Sequence, residues 1–170
     1  DSTYTPRSYP VLYVLDGSRF FHPVTGMVKY MNLNPQIPEM IIVAIPNTNR
    51  VRDLFPTHSM VDHAGQKSEH LEETGGGETF LEFVREELFA IIERDYRTLP
   101  YRLIVGHSAG GLLALYSFFE YPDMFQAYLA FDPAFFWDDE LLLRQLQNNA
   151  THLESRNDAV YISQANKSDI

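Results

Sequence analysis

Five short apolar runs, separated by longer segments with helical periodicity, constrain the fold of this chain more than any other feature. The runs end at polar or glycine-containing turns, and they are Val11–Leu15, Met40–Ile45, Leu103–Val105, Ala127–Phe131 and Ala159–Ile162. A strand that is apolar on both faces needs a covering layer on both faces, and the intervening helices supply one. The pattern therefore predicts an α/β fold, with a mostly parallel central sheet, right-handed crossovers and helices on both faces.

Four segments that follow or separate these runs are predicted to be helices. After Gly77, for example, Phe80, Leu81 and Val84 fall on one helical face, as expected of a helix that packs on a sheet. The stretch from residue 48 to residue 77 has no such period, and we expect it to be an irregular loop or lid. The predicted helices are Phe20–Asn32, Glu78–Tyr96, Ala109–Tyr121 and Asp139–Gln147.

The composition limits the size and the partners of this fold. The chain has 170 residues, of which 45% are hydrophobic, so residues 1–170 are expected to form a single domain. Its net charge of -10 repels phosphate backbones and anionic lipids, so nucleic acid is not an expected partner. No apolar run approaches the roughly 18 residues of a membrane span. The chain has no cysteine, which excludes a cysteine nucleophile and leaves both a secreted or periplasmic and a cytoplasmic location open.

Polar residues follow the predicted strands at the points where the strands end. Asp16, Asn47, Ser108, Asp132 and Asn166 occupy these positions. Because parallel strands point the same way, their following turns meet at the carboxyl edge of the sheet, where open α/β sheets bind ligands. We therefore expect the functional site at this edge.

The sequence Gly106-His-Ser-Ala-Gly110 joins a predicted buried strand to a nearly all-apolar helix. In a strand-turn-helix of this kind, the turn residue is held in a strained conformation with its side chain above the sheet edge, and the glycines leave room for the bend. The free N–H groups at the start of the helix point to the same place. This context predicts that Ser108 is a nucleophile that attacks a carbonyl carbon, in preference to a plain turn serine.

An oxyanion hole is expected beside Ser108, because the carbonyl oxygen gains negative charge during the attack. In folds with this turn, one donor is the N–H of the residue after the nucleophile, here Ala109, and another comes from the loop after an earlier strand. Asp16-Gly17-Ser18 forms such a loop, which makes the Ser18 N–H the candidate second donor. Each such donor typically lowers the barrier by about 3 kcal/mol. The alternative is that Asp16-Gly17 only terminates the strand.

Five stretches of the chain, in this order, resemble the putative-esterase family of α/β-hydrolases. They are Tyr13-Val-Leu-Asp-Gly-Ser18, Asn49-Arg-Val-Arg-Asp-Leu-Phe-Pro56, Gly76-Gly-Glu-Thr-Phe-Leu-Glu-Phe-Val-Arg-Glu-Glu-Leu88, Gly106-His-Ser-Ala-Gly-Gly111 and Asp132-Pro-Ala-Phe-Phe-Trp137. That family includes siderophore (enterochelin-type) esterases, feruloyl esterases, S-formylglutathione hydrolases and mycolyltransferases. The Arg-x-Arg-Asp-Leu stretch is most similar to the siderophore-esterase branch.

This resemblance implies an α/β-hydrolase that acts on small-molecule carboxylic esters. Ser108 is then the nucleophile, and the N–H groups of Ser18 and Ala109 form the oxyanion hole. The resemblance implies no metal and no organic cofactor.

The resemblance also implies a catalytic triad in the chain order Ser, acid, His. The one histidine after Ser108 is His152, and it precedes the last predicted strand. We therefore expect the base to lie beyond Ile170 and the fold to be incomplete at both ends. Two acids remain open: Asp169 lies in the turn after the last strand, as the topology favours, and Asp132 ends the strand next to the nucleophile helix. Asp132 could also simply open a turn before proline.

Three arginines and a group of aromatic residues near this edge have two interpretations each. Arg19, Arg50 and Arg52 could bind a carboxylate or catecholate of a substrate, or they could pair with neighbouring acids. The aromatic residues could form the floor of an aryl or acyl pocket, with Trp137 as a substrate contact, or they could belong to the core. They are Phe131, Phe135, Phe136 and Trp137.

The histidines other than His152 have structural interpretations. His107 is expected to pack beneath the turn, because successive side chains alternate and point it away from Ser108. His58, His63 and His70 match no compact metal-ligand spacing, and we expect them to be solvated loop residues.

Three functions are compatible with these residues. The first is a serine hydrolase of carboxylic esters, possibly of siderophore or aryl esters, that forms an acyl-enzyme on Ser108. The second is an acyltransferase, which passes the same acyl group to another alcohol or thiol. The third is a binding protein that has the hydrolase fold and lacks the base.

Overall fold

A five-stranded sheet in which every strand pairs in parallel with its neighbours forms the centre of the structure. The computed structural model describes residues 7–153 and 156–165. The strand order is β2-β1-β3-β4-β5, and the bounds are Tyr9–Val14 (β1), Ile41–Ala44 (β2), Thr98–His107 (β3), Ala127–Phe131 (β4) and Ala159–Ser163 (β5). The five predicted strands and their parallel arrangement are confirmed.

The four predicted helical segments are present with shifted ends, and one short helix that was not predicted, Arg50–Leu54, lies among them. Their bounds are Gly17–Leu33 (α1), Arg50–Leu54 (α2), Gly77–Phe83 (α3), Phe89–Asp95 (α4), Ala109–Glu120 (α5) and Trp137–Leu153 (α6). A π-helical turn, Val84–Leu88, joins α3 to α4, so the predicted helix Glu78–Tyr96 is one continuous helical segment. The backbone of α6 is non-helical at residues 138–140, so its regular part begins close to the predicted start.

The stretch from residue 48 to residue 77 differs from the expected irregular loop. It contains α2, a 3₁₀ helix, Glu69–Leu71, and a bridge between Val61 and Lys67. Helix α2 is short, and the Asn49 side chain caps it by accepting hydrogen bonds from the N–H groups of Val51 and Arg52. The expectation that the whole stretch is irregular is wrong, because local capping organises a segment that is too short to show helical periodicity. That the stretch acts as a lid stays a prediction.

The sheet separates two apolar layers, and the side chains of β1 alternate between them. Val11 and Tyr13 belong to the larger cluster, which includes residues of α3 to α6, whereas Leu12 and Val14 belong to a smaller cluster beneath α1. This alternation is the period-two pattern of a strand with two covered faces. Helix α5 is buried from Ala109 to Phe118, which explains why its sequence is apolar all round.

Helix α1 begins where the chain passes very close to β2. A Cβ atom on Gly17, the first residue of α1, would lie 2.6 Å from the backbone nitrogen of Ile45, and the Gly17 N–H donates to the Ile45 carbonyl at 2.8 Å. Glycine is therefore required at this position by a backbone contact. Within the described ranges, none of the helices has the length and hydropathy needed to cross a bilayer.

Two glycines of the same helix should respond oppositely to replacement by alanine. Gly17→Ala should lower the free energy of unfolding by about 2 kcal/mol or more, because the new methyl group overlaps backbone atoms that cannot easily move. Gly26→Ala should raise it by about 0.5–1 kcal/mol, because nothing lies within 4 Å of the added Cβ and alanine is the better helix former. Urea unfolding of both variants measures the difference, and equal stability of the two would contradict this description of the turn.

Candidate active site

Ser108 is the single residue between the end of β3 and the start of α5. Its backbone has φ 56° and ψ −117°, a region that residues with a Cβ atom rarely occupy. Hydrogen bonds to the strand next to β3 and to the turn after that strand hold this conformation: the Ser108 N–H donates to the Phe131 carbonyl at 3.0 Å, and the Ser108 carbonyl accepts from the Ala134 N–H at 3.3 Å. The side chain of Ser108 is half-buried at the carboxyl edge of the sheet. The structure therefore has the strained turn that the sequence predicts.

The bend at Ser108 depends on close contact between two glycines. A Cβ atom on Gly106 would lie 2.2 Å from the Gly110 carbonyl oxygen, a distance that no side chain tolerates. The last residues of β3 and the first turn of α5 are thus in backbone contact. This contact brings the N-terminus of α5 directly over the end of the sheet.

The turn after β1 lies beside the first turn of α5. A Cβ atom on Gly110 would be 3.4 Å from Cβ of Leu15 and 3.7 Å from Oδ2 of Asp16. Ser18 and Ala109 each lie in the first turn of a helix, where backbone N–H groups lack intrahelical acceptors. Within residues 7–153 and 156–165, neither the Ser18 N–H nor the Ala109 N–H donates to a protein acceptor. The two candidate donors are therefore unpaired in the described part of the chain.

The carboxylate of Asp16 is buried in the turn after β1, and both of its oxygens accept hydrogen bonds. Asp16 is 6% exposed, and its backbone is left-handed, with φ 53° and ψ 42°. Its Oδ1 accepts from Asn47 Nδ2 at 2.6 Å and from Arg50 Nε at 2.8 Å, and its Oδ2 accepts from an Arg50 terminal nitrogen at 3.0 Å. Sequence reasoning missed this cluster, although it placed Asp16 and Asn47 at the same edge. Of the two interpretations of Arg50, substrate binding or pairing with a neighbouring acid, the structure shows the pairing, with Asp16.

Arg52 and Arg19 differ from Arg50 in their exposure. Arg52 donates to Oδ1 of the adjacent buried Asp53 at 2.7 Å and 2.9 Å, while its side chain remains 51% exposed. Asp53 also accepts from the Thr48 and Asn49 N–H groups, so it fixes the start of α2. Arg19 is exposed in the first turn of α1, beside Ser18. Both arginines are exposed, and each lies in the helix that follows a strand of the sheet.

Asp132 follows β4 and is linked to the end of β5. Its backbone is also left-handed, with φ 46°. Its N–H donates to the Ser163 carbonyl at 2.7 Å, and its Oδ1 accepts from Gln164 Nε2 at 2.8 Å and from the Ala165 N–H at 3.2 Å. Its carboxylate is thus held at the edge that carries Ser108. The rival acid Asp169, like Asn166, lies outside the described residues.

Trp137 is part of the core in this structure. Its side chain is 1% exposed, its indole N–H donates to Thr57 Oγ1 at 3.1 Å, and its ring centroid lies 4.0 Å from that of Phe55. Trp137 could contact a substrate directly only if the start of α6 moved away from Phe55 and Thr57. Phe131 and Phe136 are more accessible, at 37% and 43% exposure.

The histidines give the site neither a base nor a metal centre in the described structure. His107 is exposed and lies edge-on to Phe20 of α1, with ring centroids 5.7 Å apart, so the expectation that it packs beneath the turn is wrong. The reason is that α1 covers this face of the sheet only in part. His58 hydrogen-bonds the Thr74 carbonyl through Nδ1 at 3.2 Å. His152 lies within α6, before β5, as its position in the sequence indicates. The part of the chain that the structure describes contains no group of three or more metal-ligating side chains.

Helix α5 is anchored at its far end by a partly buried hydrogen bond to α3. The Tyr116 hydroxyl donates to Oε1 of Glu78 in α3 at 2.5 Å. Burial and this bond to a carboxylate raise the pKa of Tyr116 well above its ordinary value. Helix α5 is thereby tied to α3 and stays fixed relative to the sheet.

Comparison with known proteins confirms the family resemblance that the sequence motifs indicate. The family model "Putative esterase" matches residues 2–169. Among curated proteins, the chain is 32% identical over 169 residues to the ferri-bacillibactin esterase BesA of Bacillus subtilis, covering 92% of this chain and 58% of that protein. It is 28% identical over 153 residues to a siderophore enterobactin esterase of Emericella nidulans, covering 82% of this chain and 50% of that protein.

A solved structure supports the same fold. The crystal structure of an IroE-like serine hydrolase from Shewanella oneidensis superposes with a TM-score of 0.80 and 38% sequence identity, covering 85% of this chain and 47% of that one. The predicted α/β-hydrolase fold is confirmed. The chain spans about half the length of these relatives.

The strain at Ser108 can be measured by comparing two substitutions. Ser108→Ala removes the hydroxyl and keeps the Cβ atom, whereas Ser108→Gly removes both and allows the backbone to adopt this conformation without strain. The glycine variant should unfold with a free energy about 1 kcal/mol higher than the alanine variant, even after the extra chain entropy of glycine is included. Urea unfolding of both variants tests this, and a glycine variant less stable than the alanine variant would show that Ser108 is relaxed.

Proposed function

Because the chain belongs to the putative-esterase family of α/β-hydrolases, we propose that the protein is a serine hydrolase of carboxylic esters that forms an acyl-enzyme on Ser108. The observation that carries this proposal is the strained position of Ser108 between β3 and α5, beside the first turns of two helices. A structural serine has no need of this strain, and a nucleophile benefits from it because the hydroxyl is held away from the backbone. The names of the relatives, two siderophore esterases and a serine hydrolase, agree with this chemistry.

In the proposed reaction, the Ser108 oxygen attacks the ester carbonyl carbon while a general base removes its proton. The expected base is a histidine that follows the acid in the chain. In the described part of the chain, the histidine hydrogen bonds join His58 to Thr74 and do not reach Ser108. Of the two acids that could orient the base, Asp132 is held at the correct edge by Gln164 and Ala165, and Asp169 remains the topological alternative. The tetrahedral intermediate then expels the alcohol, which takes the proton from the base and leaves the acyl group on Ser108. Water, deprotonated by the same base, attacks the acyl-enzyme, and the carboxylic acid product leaves as the Ser108 hydroxyl regains its proton.

The backbone N–H groups of Ser18 and Ala109 stabilise the oxyanion in this proposal. Within the described residues neither N–H group has a protein acceptor, and both lie at helix N-termini, where the partial positive charge of the helix favours an anion. They need no reorganisation during the reaction, because the Gly106–Gly110 contact and the Gly17–Ile45 hydrogen bond fix their positions. Each donor of this kind contributes about 3 kcal/mol to the lowering of the barrier.

The proposed substrates are siderophore or aryl esters. The relatives that are named as siderophore esterases suggest the first class. A catecholate or carboxylate group would need a cation in a protein whose net charge is -10, and the accessible guanidinium groups of Arg19 and Arg52 lie near Ser18 and the start of α2. Phe131 and Phe136, which flank the turn after β4, offer exposed apolar surface.

Ser108→Ala should abolish ester hydrolysis and labelling by a fluorophosphonate probe. The rate should fall by about 10⁴-fold or more, because no other group can form the acyl-enzyme. Ser117→Ala is the matched control: it removes a buried hydroxyl from the same helix and should keep both labelling and turnover. Labelling that persists in the Ser108→Ala variant would contradict the proposal. A rate that rises when an alcohol acceptor is added would indicate an acyltransferase.

Replacement of Arg19 by alanine should weaken the binding of anionic substrates and leave the binding of neutral ones unchanged. The KM for a catecholate siderophore ester should rise about 10-fold, as expected for a lost charge-assisted contact of about 1.4 kcal/mol. The KM for a neutral nitrophenyl ester should stay within a factor of about two, since that substrate has no negative charge for Arg19 to bind. Equal effects on the two substrates would show that Arg19 does not select for charge.

A further inference from the structure

A buried negative charge lies next to the proposed oxyanion hole. We propose that Arg50 is a positioning residue for the hole: its guanidinium group clamps the Asp16 carboxylate, which fixes the turn that presents the Ser18 N–H and cancels a charge that would oppose the oxyanion. This inference rests on the proposed function of Ser108. It assigns to Arg50 a role that differs from substrate binding.

The contact between Arg50 and Asp16 is bidentate. Arg50 Nε donates to Oδ1 at 2.8 Å and a terminal nitrogen donates to Oδ2 at 3.0 Å, while Asn47 Nδ2 donates to Oδ1 at 2.6 Å. The Asp16 side chain is 6% exposed, and that of Arg50 is 37% exposed. Planar two-point contact of this kind fixes the orientation of a carboxylate, which a single lysine ammonium cannot do.

The turn depends on this clamp because Asp16 has a left-handed backbone. Such a conformation is costly for a residue with a Cβ atom, and here its φ is 53°. The Asp16 carbonyl accepts from the Arg19 and Phe20 N–H groups, so the same residue starts α1. Ser18 lies between Asp16, whose carboxylate Arg50 holds, and Arg19 and Phe20, whose N–H groups donate to the Asp16 carbonyl. The direction of the Ser18 N–H therefore depends on the position of Asp16.

The Asp16 carboxylate lies close to the first turn of α5. Oδ2 of Asp16 would be 3.7 Å from a Cβ atom on Gly110, the second residue of α5. The carboxylate thus lies beside the helix N-terminus that is proposed to stabilise the oxyanion. An unpaired buried carboxylate at this place would raise the energy of a second negative charge nearby. The positive charge of the Arg50 guanidinium, in direct contact with both Asp16 oxygens, offsets the negative charge of the carboxylate.

Arg52 does not take part in the contact with Asp16 described above. Arg52, two residues later in α2, bonds Asp53 and Thr48 instead of the turn after β1. The Asn49 side chain caps α2, and Asp53 accepts from the Thr48 and Asn49 N–H groups. These bonds hold the start of α2, and with it the backbone of Arg50, against the turn. Among the described contacts of the Asn49-Arg-Val-Arg-Asp53 stretch, the side-chain bonds to Asp16 come from Arg50.

The test is steady-state kinetics on the whole protein with a neutral nitrophenyl ester. Arg50→Ala should lower kcat about 100-fold and leave KM within about threefold, because the lost interaction acts on the transition state. The double variant Asp16→Asn with Arg50→Ala should be at least about 10-fold faster than Arg50→Ala, because it removes the unpaired charge. The rate of fluorophosphonate labelling should change in parallel with kcat.

The control is Arg156→Ala. Arg156 pairs with Asp158 just before β5, at the opposite edge of the sheet, and both side chains are 16% exposed. Its loss should reduce stability and leave kcat per folded molecule unchanged. If Arg50→Ala does not fold, Arg50→Lys replaces it: this variant keeps the charge, loses the two-point contact and should lower kcat about 10-fold at an unchanged KM.

Three outcomes would overturn the inference. They are a kcat of Arg50→Ala within threefold of the unsubstituted protein, a double variant no faster than Arg50→Ala, and an Arg50→Lys variant with full kcat. Each leaves the proposed function intact as long as activity depends on Ser108. Hydrolysis that persists in Ser108→Ala would instead overturn the proposed function itself, whatever the Arg50 variants show.

Discussion

The contact between Gly106 and the Gly110 carbonyl is the constraint on which the rest of the site depends. It allows β3 to reverse into α5 within one residue, so Ser108 must take up a conformation that is otherwise avoided. The hydrogen bonds from the Ser108 backbone to Phe131 and Ala134 then tie the bend to β4. The sheet and the apolar helix α5 stabilise a local arrangement that would be unfavourable in isolation.

The order of the strands brings the second half of the site into place. Because β1 and β3 are neighbours in the sheet, the turn after β1 lies against the first turn of α5. Arg50 connects that turn to α2, which follows the edge strand β2. Three consecutive strands in space, β2, β1 and β3, thus contribute a guanidinium, a backbone N–H and the serine to one region of the carboxyl edge.

The sequence was sufficient to predict what depends on local pattern. Continuous apolar runs and their spacing indicated five parallel strands, and Gly106 and Gly110 indicated the bend at Ser108. Pairings made in three dimensions were not predictable in this way: Arg50 reaches an acid 34 positions earlier, and Trp137 reaches Thr57 across 80 positions. Helix α2 left a weak signal, since Asn49 is a good capping residue, but five residues are too few to show a period. His107 was misplaced because alternation gives the direction of a side chain and not the extent of the helix above it.

The central claim is that Ser108 and the N–H groups of Ser18 and Ala109 surround one carbonyl group. The most direct measurement is a crystal structure of the whole protein after reaction with a fluorophosphonate. The account predicts a phosphorus–oxygen bond at Ser108, with the phosphonyl oxygen about 2.7–3.1 Å from both backbone nitrogens. A phosphonyl oxygen that faces solvent, or an adduct on any other residue, would contradict it.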